Sequence, residues 1–297
     1  MNGVNLLRQP FLWLLMLLAL VWLASSQVPD RNLHVVFCDV GQGDAALISF
    51  GSVQVLIDGG PDGRVLDCLG REMPFWDKRL EMVVLTHAEE DHAGGLIDVF
   101  RRYRVGYFVA NGIANDTPVF WELQGLVAKS GTATYLPQTG DVISLGNLRF
   151  RVLWPKQRLG EMFVWQTAGL SDRQKVLGAV NFSGEINDTA VVVELDFSDF
   201  QVLFTGDLSS DYETGLKLAD VDILKVAHHG SRFSTGRQFL EVIKPELAVV
   251  SVGENSFGHP TQEVLERLAE AGAAVKRTDK DGAVKIASDG EGWWVER

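Results

Sequence analysis

A short apolar strand that runs straight into a dense set of metal-ligating side chains narrows the folds open to this chain. Met82–Thr86 is such a strand, and it leads into T-H-A-E-E-D-H-A-G-G at 86–95. A helical pattern begins near Gly94 and runs to Tyr103, so His92 stands close to a helix N-terminus. α/β folds collect ligands in strand-to-helix loops outside the carboxyl ends of their strands. His87, Glu89, Asp91 and His92 are too closely spaced for an ordinary solvated loop, and they read as a metal site.

Two further apolar runs end the same way. Val202–Phe204 runs into Thr205-Gly206-Asp207, and Val221–Ala227 into His228-His229-Gly230-Ser231. An Asp after Gly is commonly a turn residue, but the preceding run aims Asp207 at the same edge as the histidines. Adjacent histidines face different ways. One of His228 and His229 is therefore a ligand, and the other contacts substrate or moves protons. His34 sits mid-strand and reads as structural. His259, before Pro260, reads either as a plain loop histidine or as a proton donor.

Elsewhere, β-branched runs bounded by Gly, Asp or Pro read as strands: 34–37, Ala45–Phe50 and Val53–Ile57, with Gly51-Ser52 as a hairpin turn. A helix follows at Pro118–Lys129, then strands at Ala133–Leu136, Asp141–Leu145 and Arg149–Leu153. Near the end come a helix at Thr261–Ala271 and strands at Val275–Arg277, Ala283–Ala287 and Trp293–Glu296, with a turn at Asp281-Gly282. A weak repeat links GDAALISFGSVQVLIDGG, a strand and THAEEDH to NDTAVVVELDFSDFQVLFTGD, a strand and HHGS. Two similar halves predict two facing sheets with a shared site. Residues 155–186 are less regular. Met162, Phe163 and Trp165 read there as a satellite apolar cluster, with a flap over the site as the alternative.

At 297 residues and 46% hydrophobic, bulk disorder is excluded, and one large domain or two small ones fit. The net charge of −12 lacks the basic surplus of a protein that coats duplex DNA. A metal centre supplies positive charge locally, so nucleic acid stays open as a substrate. Cys38 and Cys68 are too few for a disulfide scaffold. Their spacing says nothing about geometry, and they read as unpaired rather than bridged. Phe11–Ala24 is an apolar run preceded by Arg8 and followed by Ser25-Ser26-Gln27. It reads as a signal peptide or a single transmembrane anchor. Trp13 and Trp22, at interfacial positions, tilt the reading towards the anchor. Either way residues 1–27 form a separate segment, and residues 28–297 an exported, extracytoplasmic domain.

These motifs resemble those of metallo-β-lactamase-fold hydrolases, and more narrowly the C-terminal domain of ComEC DNA-uptake proteins. The resemblance is carried by D-V-G-Q-G-D-A at 39–45, L-I-D-G-G at 56–60, T-H-A-E-E-D-H-A-G-G at 86–95, N-D-T-A at 187–190, F-T-G-D at 204–207, L-K-V-A-H-H-G-S at 224–231 and G-H-P at 258–260. The 86–95 motif marks only the superfamily; D-V-G-Q-G-D with H-H-G-S is more specific. The resemblance implies a four-layer αββα sandwich of the α/β class with a two-metal cleft. One metal takes His87 and Glu89, the other Asp91, His92 and His229 or His228, and Asp207 bridges them. The superfamily has His where Glu89 stands, whereas ComEC-like sequences carry an acid. The third-motif His is also missing, with Asn187-Asp188 in its place. Such an oxygen-rich first site is expected to be the weaker one, and it favours Mn²⁺ or Mg²⁺ over Zn²⁺. This also counts against zinc-dependent β-lactam hydrolysis.

The implied reaction is phosphodiester hydrolysis of DNA, single-stranded in the first instance. Asp91 and Asp207 hold the metals, and His228 or His259 protonates the leaving oxygen. Lys225, Ser231 and Arg232, beside the H-H-G-S segment, are expected to contact phosphates, with Arg237 nearby. Asp39, Asp44, Asp58, Asn187 and Asp188 are expected to orient ligands from behind. Two other functions compete: a phosphodiesterase for small molecules or cell-wall phosphocholine, and a non-catalytic binding module. ComEC proteins also carry a multi-span channel and an OB-like domain, which this sequence lacks, so an uptake role calls for a separate channel protein.

Overall fold

A computed structural model describes residues 10–25, 30–159 and 185–296. Met162, Phe163 and Trp165 lie outside the described residues. The apolar run forms helix α1 (Pro10–Ser25). Among the described residues no helix is long and apolar enough to cross a membrane.

The first half contains β1 (Leu33–Phe37), β2 (Ala46–Phe50), β3 (Val53–Ile57), α2 (Arg64–Glu72), β4 (Arg79–Leu85), α3 (Glu90–Ala93), α4 (Leu96–Arg102), β5 (Arg104–Ala110), α5 (Pro118–Ser130) and β6 (Ala133–Tyr135). The second contains β7 (Val142–Leu145), β8 (Leu148–Trp154), β9 (Val192–Phe197), β10 (Phe200–Phe204), α6 (Ser210–Glu213), β11 (Ile223–Lys225), α7 (Arg237–Ile243), β12 (Leu247–Val250), α8 (Gln262–Glu270), β13 (Ala274–Arg277), α9 (Thr278–Asp281), β14 (Val284–Ser288) and β15 (Trp293–Val295). They build one sheet in the order β15-β14-β1-β2-β3-β4-β5-β6 and a second in the order β13-β12-β11-β10-β9-β8-β7.

The internal repeat is real in three dimensions. In each sheet an antiparallel hairpin, β2–β3 or β9–β10, is followed by a strand parallel to its second arm, β4 or β11. Both parallel strands deliver a histidine cluster to the same edge. The reason lies in alternation. Phe37, Ile48, Val55 and Val84 of the first sheet face Phe150, Val193, Val202 and Phe204 of the second, with the Phe37 and Phe204 rings 5.9 Å apart. The intervening residues face outward, also into apolar surroundings. Leu56, Val83 and Leu85 meet Leu69, Leu96 and Val127 of α2, α4 and α5. Leu203, Leu224 and Val250 meet Phe239, Leu240 and Val264 of α7 and α8. Central strands buried on both faces read as continuous apolar runs, which is why β4 and β10 were legible.

Three expectations need correction. The strand expected at Val221–Ala227 is shorter, because His228 and His229 take left-handed backbone angles (φ 49° and 52°) that wind Ala227–Gly230 into a 3-10 turn. Asp281-Gly282 closes the one-turn helix α9 rather than a simple turn. Cys38 and Cys68 are joined, with 5.9 Å between their Cα atoms. Cys38 points to the outer face of its sheet, and α2 brings Cys68 against it. In the chain-entropy account a bridge closing a loop of this length adds about 3.7 kcal/mol. The Cys38→Ala/Cys68→Ala protein should lose about that much in urea unfolding; an unchanged midpoint would show that the bridge contributes nothing.

Glu213 is buried at the end of α6, where its carboxylate accepts the Thr235 and Gly236 N–H groups at the start of α7 (2.7 Å for Gly236). Burial pushes its pKa up to about 7 from 4.5. A carboxyl whose folded pKa lies above its unfolded value is stabilising below pH 4.5, and that advantage is lost as the pH rises through 7. Relative to Glu213→Gln, wild-type stability should therefore fall by about 3 kcal/mol across this window. Parallel pH profiles for the two proteins would refute the assignment.

Candidate metal centre

Three imidazoles are held in one tautomer by three different acceptors. His92 Nδ1 donates to Asp58 Oδ2 at 2.8 Å. His229 Nδ1 donates to the Ser251 carbonyl at 2.8 Å. His87 Nδ1 lies 3.1 Å from Thr86 Oγ1. Each Nε2 is thereby left for a metal, the arrangement that outer partners impose on ligating histidines. Among the described residues the buried Nε2 atoms of His87 and His92 and Oδ1 of Asp207 have no hydrogen-bond partner, and His92 Nε2 and Asp207 Oδ1 face each other at 3.3 Å. In the groups His87–His92–Asp207 and Asp91–His92–His229 the ligand atoms lie within 4.8 Å of one another. His229 Nε2 is 3.1 Å from Asp91 Oδ2 and 3.5 Å from Asp207 Oδ2. Glu89 Oε2 stands 3.8 Å from His87 Nε2. Orphaned nitrogens and carboxylate oxygens facing one another form a donor set that fits divalent cations.

Burial distinguishes the two histidines of H-H-G-S. His229 is buried among the carboxylates, while the His228 side chain is 30% exposed, with Nε2 3.8 Å from Asp207 Oδ2. His259 lies beside it at 5.5 Å between ring centroids, stacked on the exposed Phe257. Burial and the neighbouring His228 and His229 lower the His259 pKa.

The charge balance points the same way. Burial opposes the charge on His92, yet Asp207, Asp58, Asp91 and Asp44 together raise its pKa well above 6.5. Against the same opposition, Asp207 and Asp44 raise His229 to about 10. Burial alone would raise the carboxyls of Asp91 and Asp207, but the His92 and His229 charges hold both well below the usual range. Protonated imidazole thus fills the place of a cation.

Of the residues expected to orient ligands, Asp58 and Asp44 lie against the imidazoles. Asp58 has φ 58° and accepts the N–H and Oγ1–H of Thr86, both at 2.8 Å, besides His92. Asp44 is buried and lies 3.4 Å from His229 Nδ1. It also ion-pairs with Lys225. In the cluster Asp44–Asp58–His92 the Lys225 ammonium offsets one of the two carboxylates, and both carboxylates lie against the Nδ1 side of an imidazole.

Several other assignments are corrected. Lys225 is buried, pairs with Asp44 and donates to the Gly206 carbonyl at 3.1 Å, so it lies behind the ligands and cannot reach a phosphate in solvent. Ser231 is also buried; its Oγ caps the local turn at Phe233 N. Arg232 stays at the surface with its guanidinium over the Phe233 ring, and Arg237 pairs with Glu270. Asp39 is exposed and accepts the Gly41 N–H, shaping its own loop. Asp188 accepts Ser209 Oγ at 2.6 Å. Asn187 is buried with its amide oxygen unpartnered among the described residues. Thr86 and Ser251 were not read from the sequence. Thr86 adjoins His87 and was within reach, but Ser251 follows β12, a strand with no signal of its own.

Residues 38–254 match the model of the metallo-beta-lactamase superfamily. The chain belongs to that superfamily. Its curated relatives include ComE operon protein 3 of Bacillus subtilis, 27% identical over 70% of this chain and 24% of that protein. Recombination protein 2 of Haemophilus influenzae is 26% identical over 95% of the chain and 32% of that protein. Competence protein ComA of Neisseria gonorrhoeae is 27% identical over 92% and 35%. The chain thus spans a quarter to a third of these relatives. Among solved structures, the metallo-beta-lactamase fold protein YhfI from Bacillus subtilis superposes with a TM-score of 0.53 at 14% identity, covering 84% of this chain and 97% of its own. CmlA, a diiron beta-hydroxylase from Streptomyces venezuelae, gives 0.52 at 13% identity over 88% and 54%. Both likenesses show the fold alone.

Asp58→Ala would remove the acceptor that fixes the His92 tautomer. Divalent-metal affinity should fall about 10–100-fold in calorimetric titration, while an unchanged affinity would remove Asp58 from the account.

Proposed function

We propose that this chain is a divalent-metal-dependent phosphodiesterase that cleaves DNA, presented as a single strand, during uptake. The observation that carries the proposal is the convergence of His87, His92, His229, Asp91 and Asp207, with buried ligand atoms left unpartnered. The competence relatives supply the substrate class. Glu89 and His87 would hold one ion and Asp91, His92 and His229 the other, with Asp207 next to both groups. With Asp and Glu oxygens prominent, Mn²⁺ or Mg²⁺ fits better than Zn²⁺.

Two bound divalent ions supply an activated water and a clamp on the phosphoryl oxygens. The chain supplies the rest. Asp58, Thr86 and Ser251 fix imidazole orientation. The Asp44–Lys225 pair holds the back of the site dry and charge-balanced. His228, on the open side, is placed to give a proton to the leaving oxygen, with His259 next to it. Its side chain is partly exposed while that of His229 is buried, which separates proton donation from metal binding. The buried Cys38–Cys68 bridge supports an extracytoplasmic location, where disulfides persist. The Phe11–Ala24 segment is the link to the membrane, and the uptake channel comes from protein outside this sequence.

The test uses the full chain stripped of metal and given Mn²⁺, Mg²⁺ or Zn²⁺ with single-stranded DNA, a duplex or bis-p-nitrophenyl phosphate. Mn²⁺-dependent cleavage of the single strand is expected. Asp91→Ala should reduce it by more than about 100-fold, beyond the usual loss from an outer partner. Turnover of the small diester alone would instead make this a small-molecule phosphodiesterase, and no turnover with any ion would make it a binding module.

A further inference from the structure

The pole of the molecule opposite the metal centre carries a basic and aromatic face that the hydrolytic site does not use. β4 and β5 run parallel, with Arg79 level with Arg104, and both lead towards the site. Their starting ends lie roughly 26 Å from His87, at about 3.3 Å per residue. Before β4 the chain turns through Phe75 and Trp76, whose rings are 65% and 50% exposed and meet edge to face. Behind them lies a cavity of about 480 Å³ lined by Trp76, Lys78, Arg79, Arg104, Val105 and Gly106. Arg102 is exposed nearby. The neighbouring acids are already engaged, Asp77 by the Arg79 N–H and Glu81 by the Arg79 side chain and the Gln54 N–H. In a chain of net charge −12 this is a local inversion of sign.

The chain enters β1 from the N-terminal apolar helix at this pole. Leu33, the first residue of β1, pairs with Phe50, and Phe50 with Val53. Val55 pairs with Met82, so Leu33 and Leu80 share one row across the sheet. Three strand spacings separate them, about 14 Å. α1 ends at Ser25, so the connection to Leu33 reaches at most about 27 Å. Exposed aromatics on a turn, ringed by Lys and Arg at the pole where the chain enters β1 from an apolar helix, suit the interface of an anionic bilayer. A nucleic acid would be better served by rings spaced along a groove than by two at one apex. The second sheet begins at this pole with the exposed acids Asp199 and Glu246, which confines contact to the first sheet.

We propose that the face formed by Phe75, Trp76, Lys78, Arg79 and Arg104 docks on an anionic lipid surface, seating a phosphate headgroup in the cavity and turning the metal centre away from the membrane. The proposal rests on the reading that Phe11–Ala24 meets a membrane. It is tested with the full chain on vesicles of phosphatidylglycerol and phosphatidylcholine. A nitroxide is attached through Phe75→Cys or, at the opposite pole, Phe257→Cys; the native cysteines are paired and unreactive. The label at 75 should be several-fold less accessible to an aqueous nickel chelate than the label at 257. Adding Lys78→Glu, Arg79→Glu and Arg104→Glu should return it to water while the protein still floats with the vesicles. Equal accessibility at 75 and 257 in floating protein overturns the proposal alone. Failure of the unmodified chain to float overturns the membrane reading, and the proposal with it. Protection of position 75 by a single-stranded oligonucleotide but not by vesicles makes the face a nucleic-acid surface and also overturns it.

Discussion

Uncompensated negative charge at a nearly dry sheet edge is the constraint on which the rest of this structure depends. Asp44, Asp58 and Asp207 are buried and Asp91 and Glu89 half-buried around one point, and Lys225 is the one ammonium among them. Five carboxylates against one ammonium leave four formal negative charges, the charge of two divalent cations. Removing ions from water costs several kcal/mol each unless they are paired. The fold meets that cost with the Lys225 pair, with Thr86 and, in the metal-free protein, with protonated His92 and His229. Each of these partners is placed by a strand end, so the two-sheet sandwich is what makes the charge cluster tolerable.

Backbone placement around the site is equally demanding. Gly43 has φ 141°, and a Cβ there would lie 2.3 Å from the Asp91 carbonyl. This close approach lets Asp44 N reach that carbonyl at 3.1 Å and locks the first motif onto the 86–95 loop. Asp58, His228 and His229 are non-glycine residues held in left-handed conformations. Such strain costs of order 1–3 kcal/mol per residue and persists where function or several bonds require it. Asp58 is kept there by three hydrogen bonds.

Much of this was legible in the sequence. β3, β4 and β10 could be read because they are apolar on both faces and end in turn residues. The repeat could be read because each half ends in a histidine cluster, and it correctly forecast two sheets with a shared edge. α2 could be read only as a helix-like stretch without bounds, because RVLDCLGRE mixes charges and a glycine with its three buried residues, and the Cys38–Cys68 bridge was missed with its register. β12, only four residues long, was missed, and with it the Ser251 carbonyl that orients His229. Lys225 was misassigned because a lysine beside a histidine motif looks like a phosphate contact. Only the packed structure shows its ammonium turned inward to Asp44.

The central claim is that these carboxylates and imidazoles are built for a pair of divalent ions. Equilibrium dialysis of the full chain against Mn²⁺, followed by metal analysis, tests it most directly. The account predicts two ions bound per chain, and loss of both in Asp207→Ala, because that carboxylate faces both ligand groups. A stoichiometry of one or none in the unmodified chain would contradict it.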